Sequence, residues 1–410
     1  MRSCKTFWAG ISAARVVLGA MLVALVAAAC GGGPGGSGGY SDQNGSLAPT
    51  GSGGVKVALL LPVSGSGDAP QIAKALRQAG ELALFEFNNP NVTLIPKDTK
   101  GTPQGAAAAA ESAVADNVEL IIGPLFADEV RAVAPVARRA GIPVLAFSSD
   151  RNVAGNNVYL LSFLAGADVE RIASYALGRG KKNFAVLIPE SAYGTIAERE
   201  FAKVVAGAGG RTVVRATYPT GNRGAMAGPV SRVANAVKSG QRIDAVFLPA
   251  GPDELRSLGQ LLSSNGLTNA QAQFLGTGQW DSPDIGSQKA LVGGWFPAAD
   301  PSGWNGFAQR YQKTYGSQPP RLASLAYDAV SLAVSLSNNP PGDRYTRGQL
   351  TRSTGFAGVD GLFRLLPDGT AERGLAILEV QPSGPRVIDQ APKSFSSRAD
   401  SYSYRPFAEN

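Results

Sequence analysis

Hydroxyl, carboxylate and amide side chains gather in short stretches of this 410-residue chain: Ser64–Asp68, Gly123–Asp128, Ser148–Asp150, Glu190–Gly194, Gly251–Glu254 and Gln279–Asp281. Such groups can hold a small polar ligand by hydrogen bonds and charge, or cap the helix that follows them. Covalent chemistry has fewer means here. The chain has no histidine and only two cysteines, Cys4 and Cys30. Ser-His-Asp and Cys-His nucleophilic sets and histidine zinc sites are therefore excluded, and thiolate metal clusters with them. Carboxylate-pair hydrolysis stays chemically open, but no pair stands out. The residues point to binding rather than catalysis, with no metal and no cofactor.

Cys30 ends an apolar run. Val16–Ala29 is uncharged and follows Arg2, Lys5 and Arg15, with no acidic residue among them. A membrane-spanning helix needs about 20 apolar residues, so this run is too short and fits a secretory signal instead. Ala27-Ala28-Ala29-Cys30 resembles a bacterial lipoprotein signal, departing from it at Ala27, where a larger aliphatic is usual. The resemblance implies cleavage after residue 29, acylation of Cys30 and, because Gly31 rather than aspartate follows, an outer-membrane destination. Residues 30–54 are dominated by Gly, Ser and Pro, the composition of a flexible tether. The Gly31-x-Gly33-x-x-Gly36 pattern inside it lacks the strand and helix that a dinucleotide site requires.

The formal charge is +7, from 38 basic and 31 acidic residues. Removing Arg2, Lys5 and Arg15 leaves 38 − 3 = 35 against 31, or +4. No basic run exceeds Lys181-Lys182 or Arg138-Arg139, so nucleic acid is not expected as a partner.

The elements that must position the polar stretches follow a regular alternation. Val55–Leu61 reads as a central strand buried on both faces. A helix follows through Asn88, then a strand at Val92–Ile95, an alanine-rich helix at Gln104–Asp116 and a strand at Glu119–Ile122. A helix at Ala127–Ala140 and a strand at Ile142–Phe147 complete the first series. Phe184–Ile188, Thr212–Tyr218, Ala245–Leu248 and Gln273–Leu275 read as further strands between helices, and Trp304–Tyr315 and Leu322–Ser337 as helices. Gly361–Leu366 and Ala376–Val380 read as an antiparallel hairpin about Pro367-Asp368-Gly369. This alternation predicts open α/β sheets, with a ligand outside the carboxyl ends of the strands. Ser64, Ser66 and Gln279 are candidates on that ground alone, although helix capping could produce the same pattern.

Five segments resemble type I periplasmic binding proteins of the leucine/isoleucine/valine-binding kind: Val57–Gly65 (VALLLPVSG), Leu120–Pro124 (LIIGP), Ile142–Ser149 (IPVLAFSS), Ala192–Gly194 before a helix, and Ala326–Ala329 (AYDA). The resemblance covers about residues 55–390. It implies two Rossmann-like α/β lobes with open parallel sheets, joined by three crossovers and closing on a small ligand. Lobe one is expected at 55–168 and 280–352, lobe two at 169–279 and 353–392, and a polar tail at 393–410. The resemblance further implies that Tyr193 packs on the ligand, that Glu254 or its neighbour Asp253 pairs with a ligand ammonium, and that Ser148, Ser149 and Asp150 line the facing loop. Ala127, preceded by bulky Phe126, stands where amino-acid binders place a serine for the ligand carboxylate, and Asp150 is expected to repel an anion there. An amide or cationic ligand then fits better than a free α-amino acid. Two functions follow from the resemblance. One is a solute receptor working with an ABC permease. The other, read from the acylated cysteine, the tether and the segment Gly358–Arg364 with Arg373–Glu379, is a lipoprotein that activates a peptidoglycan synthase and whose cleft is vestigial.

Overall fold

A computed structural model describes residues 50–395, except 52, 53, 88, 89, 165 and 283. The expected signal segment, Cys30, most of the expected tether and residues 396–410 lie outside the described residues. No helix among the described residues is long and apolar enough to cross a membrane.

Lobe one begins with β1 (Val55–Leu61), α1 (Ala69–Glu86), β2 (Val92–Asp98), α2 (Pro103–Ala115), β3 (Leu120–Ile122), α3 (Ala127–Arg139), β4 (Val144–Ala146) and β5 (Val158–Leu160). The strands form a parallel five-stranded sheet in the order β2-β1-β3-β4-β5. The period of two along β1 divides its side chains between two cores. Val57, Leu59 and Leu61 face one cluster, while Ala58 and Leu60 face the alanines Ala106, Ala109, Ala110 and Ala113 of α2. Those alanines recur at helical spacing, which lets α2 lie close to the sheet.

Lobe two follows with α4 (Ala167–Gly178), β6 (Asn183–Pro189), α5 (Ala192–Gly207), β7 (Arg211–Tyr218), α6 (Arg223–Lys238), β8 (Ala245–Phe247), α7 (Pro252–Ser264), β9 (Gln273–Leu275) and β10 (Trp295–Ala298). The chain returns to lobe one for α8 (Pro301–Tyr315), α9 (Ala323–Ser337), the short α10 (Arg347–Leu350), β11 (Phe356–Gly358), β12 (Gly361–Leu365) and β13 (Ala371–Arg373). It then crosses again to add β14 (Ala376–Glu379) and β15 (Arg386–Asp389) to the second sheet, whose order is β15-β14-β10-β9-β8-β6-β7. The chain therefore passes between the lobes three times, after β5, β10 and β13, and the two-lobed fold is as expected.

Several finer expectations need correction. Trp280, Ile285, Leu291 and Phe296 pack in the core of lobe two, so residues 280–298 belong there rather than to lobe one. Phe356, Val359, Phe363, Leu365 and Ala371 pack in the core of lobe one, so residues 356–371 do not belong to lobe two. The expected hairpin of 361–366 with 376–380 does not form: β12 pairs with β11 and β13, while β14 pairs with β10 and β15. The tether ends before residue 54, because Thr50 exchanges backbone hydrogen bonds of 2.8 Å with Leu94 of β2. Phe395, expected in a loose tail, is buried against the Arg364 guanidinium, 4.6 Å from its ring centroid.

Candidate functional site

The parallel strands of both sheets end in the polar loops singled out above. In lobe one, Gly123 of the LIIGP segment has φ +89°, and a Cβ there would stand 2.2 Å from the Leu60 carbonyl. Only glycine lets β3 run this close to β1 before turning into α3. Phe126 opens that helix with its ring 40% exposed, and its amide donates to Glu129 Oε2 at 3.2 Å. Glu129 is buried and also accepts the Thr99 hydroxyl. Burial pushes its carboxyl up, against the pull of these hydrogen bonds. The start of α3, beside Ala127, is thus already occupied by an acid of the protein.

Ser64 is exposed and donates to Asp98 through both its amide and its hydroxyl, and Ser66 is exposed beside it. Ser148 is buried and its Oγ accepts the Asp150 amide at 3.2 Å, leaving Ser149 exposed. Asp150 is not the bare anion that was expected. Its Oδ2 lies 2.6 Å from Arg131 Nη2, and Arg131 also holds Asp128. The expected repulsion is offset by this pair.

Lobe two builds a more continuous wall. Ser191 caps α5 by accepting the Gly194 amide at 3.0 Å. Tyr193 follows in the first helical turn, partly exposed, and donates its hydroxyl to Thr277 Oγ1 at 2.7 Å. Burial and the charge of Asp168 push the Tyr193 hydroxyl pKa up, so it stays a donor. Thr277 is fully buried at the end of β9. Asp168 braces the same turn by accepting the Gly278 amide at 3.0 Å. Gln279 comes next and is exposed. Gly251, at the end of β8, lies between Gln279 Oε1 and Glu254 Oε2, each 3.4 Å from where its Cβ would be. Glu254 accepts the Gly251 amide at 3.0 Å, which stabilises the start of α7, and Asp253 beside it is exposed. Tyr193, Thr277, Gln279 and Glu254 therefore adjoin, whereas Ser64 is tied to Asp98 of lobe one.

Sequence reasoning missed Arg131, Glu129, Asp168 and Thr277. Glu129 was detectable as a glutamate three residues after Phe126, the spacing of a helix-capping acid. Asp168 and Thr277 are 109 residues apart in sequence (277 − 168), and only the fold brings them together.

Two α/β lobes with polar loops at the carboxyl ends of parallel strands define a receptor of the bilobal solute-binding class. The chain belongs to the periplasmic binding protein family, whose profile matches residues 54–385. A putative branched-chain amino acid ABC transporter protein from Rhodospirillum rubrum is 21% identical, with a TM-score of 0.71 over 82% of this chain and 99% of that one. A solute-binding protein from R. palustris, solved in complex with benzoate, is 18% identical, with a TM-score of 0.53 over 83% and 97%. An ABC transporter substrate-binding protein from Desulfitobacterium hafniense, in complex with Leu, is 16% identical, with a TM-score of 0.56 over 82% and 99%. Among curated proteins none matches. The family places the chain in the periplasm or cell envelope.

Proposed function

We propose that this chain is a non-enzymatic, lipid-anchored receptor that delivers a small amino-acid-like or amide ligand to an ABC permease. The observation that carries this reading is the lobe-two wall, where Tyr193, Thr277, Gln279 and Glu254 adjoin at the ends of three strand-to-helix units. An aromatic face, amide groups and a carboxylate suit a ligand with an apolar body and a neutral or cationic polar end. Leucine and benzoate, bound by the relatives above, share such an apolar body. Ala127 offers no hydroxyl to a ligand carboxylate at α3, and Glu129 already accepts the Phe126 amide there, so an anion would lose donors. Amides and cationic compounds are therefore expected to bind better than free α-amino acids.

A thermal-shift screen of amino acids, amides, small peptides and muropeptides tests the reading, because a tight ligand raises the melting temperature by mass action. Some compound should stabilise the protein, and Tyr193→Ala or Glu254→Ala should abolish the effect, consistent with a loss of about 2–5 kcal/mol for a desolvated charged contact. The occupied start of α3 also favours a second reading, a regulator of peptidoglycan synthesis with an idle cleft. In that case no compound shifts the melting point, and binding to a peptidoglycan synthase survives replacement of both Tyr193 and Glu254. The anchor has its own test. Cys30→Ser should leave the protein exported but absent from the membrane fraction; unchanged fractionation, with no acyl chain on the wild type by mass spectrometry, would refute it.

A further inference from the structure

Where the chain first crosses between the lobes, the two lobes face each other with opposite charges. Arg151 follows β4 in lobe one, and its Nη1 stands 3.9 Å from Glu200 Oε1 on α5 of lobe two. Glu200 also receives Arg199 of its own helix at 3.4 Å. Gly166 of the crossover lies against both partners: a Cβ there would meet Arg151 Nη2 at 3.3 Å and Glu200 Cγ at 3.5 Å.

We propose that Arg151–Glu200 acts as an electrostatic clasp at the first crossover, drawing the lobes toward one another. An exposed ion pair adds little to the stability of a fold. Hinge equilibria, however, lie between states separated by a few kcal/mol, so the same small energy changes their populations measurably. Because the pair is only partly buried, with 38% of the Arg151 side chain and 17% of the Glu200 side chain exposed, salt should weaken the clasp. The clasp requires no particular ligand, so it stands or falls separately from the ligand reading above.

The test is an interlobe distance measured by pulsed electron paramagnetic resonance on the full chain. Spin labels go on Arg138→Cys and Lys203→Cys, exposed positions on α3 and α5, with Cys4 and Cys30 replaced by Ser. Raising the salt should shift the wild-type distribution toward the more separated lobes. Glu200→Lys should produce that shift at low salt, changing the ratio of open to closed forms by roughly two- to five-fold, as expected for a partly exposed ion pair. Arg151→Glu added to Glu200→Lys should restore the shorter distance. A melting temperature near wild type for Glu200→Lys would exclude general unfolding. A distribution and salt response identical to wild type in Glu200→Lys, or no recovery on charge reversal, would overturn the clasp.

Discussion

Asp328 lies on α9 with no solvent exposure. Its Oδ1 accepts the Val359 amide at 2.7 Å, and its Oδ2 faces Arg373 Nη1 at 3.5 Å without a hydrogen bond. Burial pushes its carboxyl up to about 7, against the pull of Arg373 and of the Val359 amide. A carboxyl raised above its unfolded value holds a proton in the native state that the unfolded chain has released. Its stabilising contribution is therefore present at low pH and is lost as pH rises from about 4 to about 7. The urea midpoint of wild type should fall between pH 5 and pH 8 by more than that of Asp328→Asn, which carries no titrating proton. Equal falls in the two proteins would show that another group carries the slope; Glu129, raised in the same direction, remains in both. At the candidate site, the place of Tyr193 in the first turn of α5 was legible from its motif. The charge environment of Asp150 was not, because the distant Arg131 decides it.

The strand-to-helix units were largely readable because their signals are local. Ala127–Arg139 and Gln273–Leu275 lie within one residue of the expected bounds, since caps and apolar runs mark them. The late strands were not readable. The Pro367-Asp368-Gly369 turn is legible, but the strand that follows it, Ala371–Arg373, is three residues long with a glutamate at its centre. Ala376–Glu379 is more apolar and so carries the stronger strand signal. At the start of α5 the signals agree, and the packing makes a firm prediction. A Cβ on Gly194 would stand 2.0 Å from the Pro189 carbonyl, so Gly194→Ala must push α5 away from β6 and shift Tyr193 with it. We expect a loss of about 1–3 kcal/mol of stability, together with loss of stabilisation by any ligand that depends on Tyr193. Ser191→Ala, which removes only the cap, should cost about 1 kcal/mol and retain ligand response. Chemical denaturation and thermal shift on the two variants would distinguish displacement of the helix from loss of its cap.

At the scale of the whole molecule, the crossovers were countable from the resemblance but not locatable from sequence. Alternating apolar residues show that a strand is half-buried; they do not show which of two sheets it joins. Trp280 illustrates this, because it follows the last expected strand of lobe two yet fills that lobe's core and donates to the Leu248 carbonyl at 3.1 Å. The third crossover begins just after Arg373, whose guanidinium is buried between the rings of Phe163 and Phe363, with centroids 5.0 and 5.5 Å away. None of its nitrogens has a hydrogen-bond partner among the described residues, so Asp328 is its main electrostatic compensation. Removing one member of a buried pair strands the other, at a cost of about 3–5 kcal/mol, whereas replacing both is often close to neutral. At pH 8 Arg373→Met should therefore destabilise the protein strongly, because Asp328 loses the charge that pulls its carboxyl down and is left either buried and ionised or forced to take up a proton. Adding Asp328→Asn should recover most of that loss, because the amide removes the stranded charge while its Oδ1 still accepts the Val359 amide. Urea denaturation of the two single variants and the double variant measures the coupling. Losses that simply add would mean that Arg373 acts through its packing on Phe163 and Phe363 rather than through its charge.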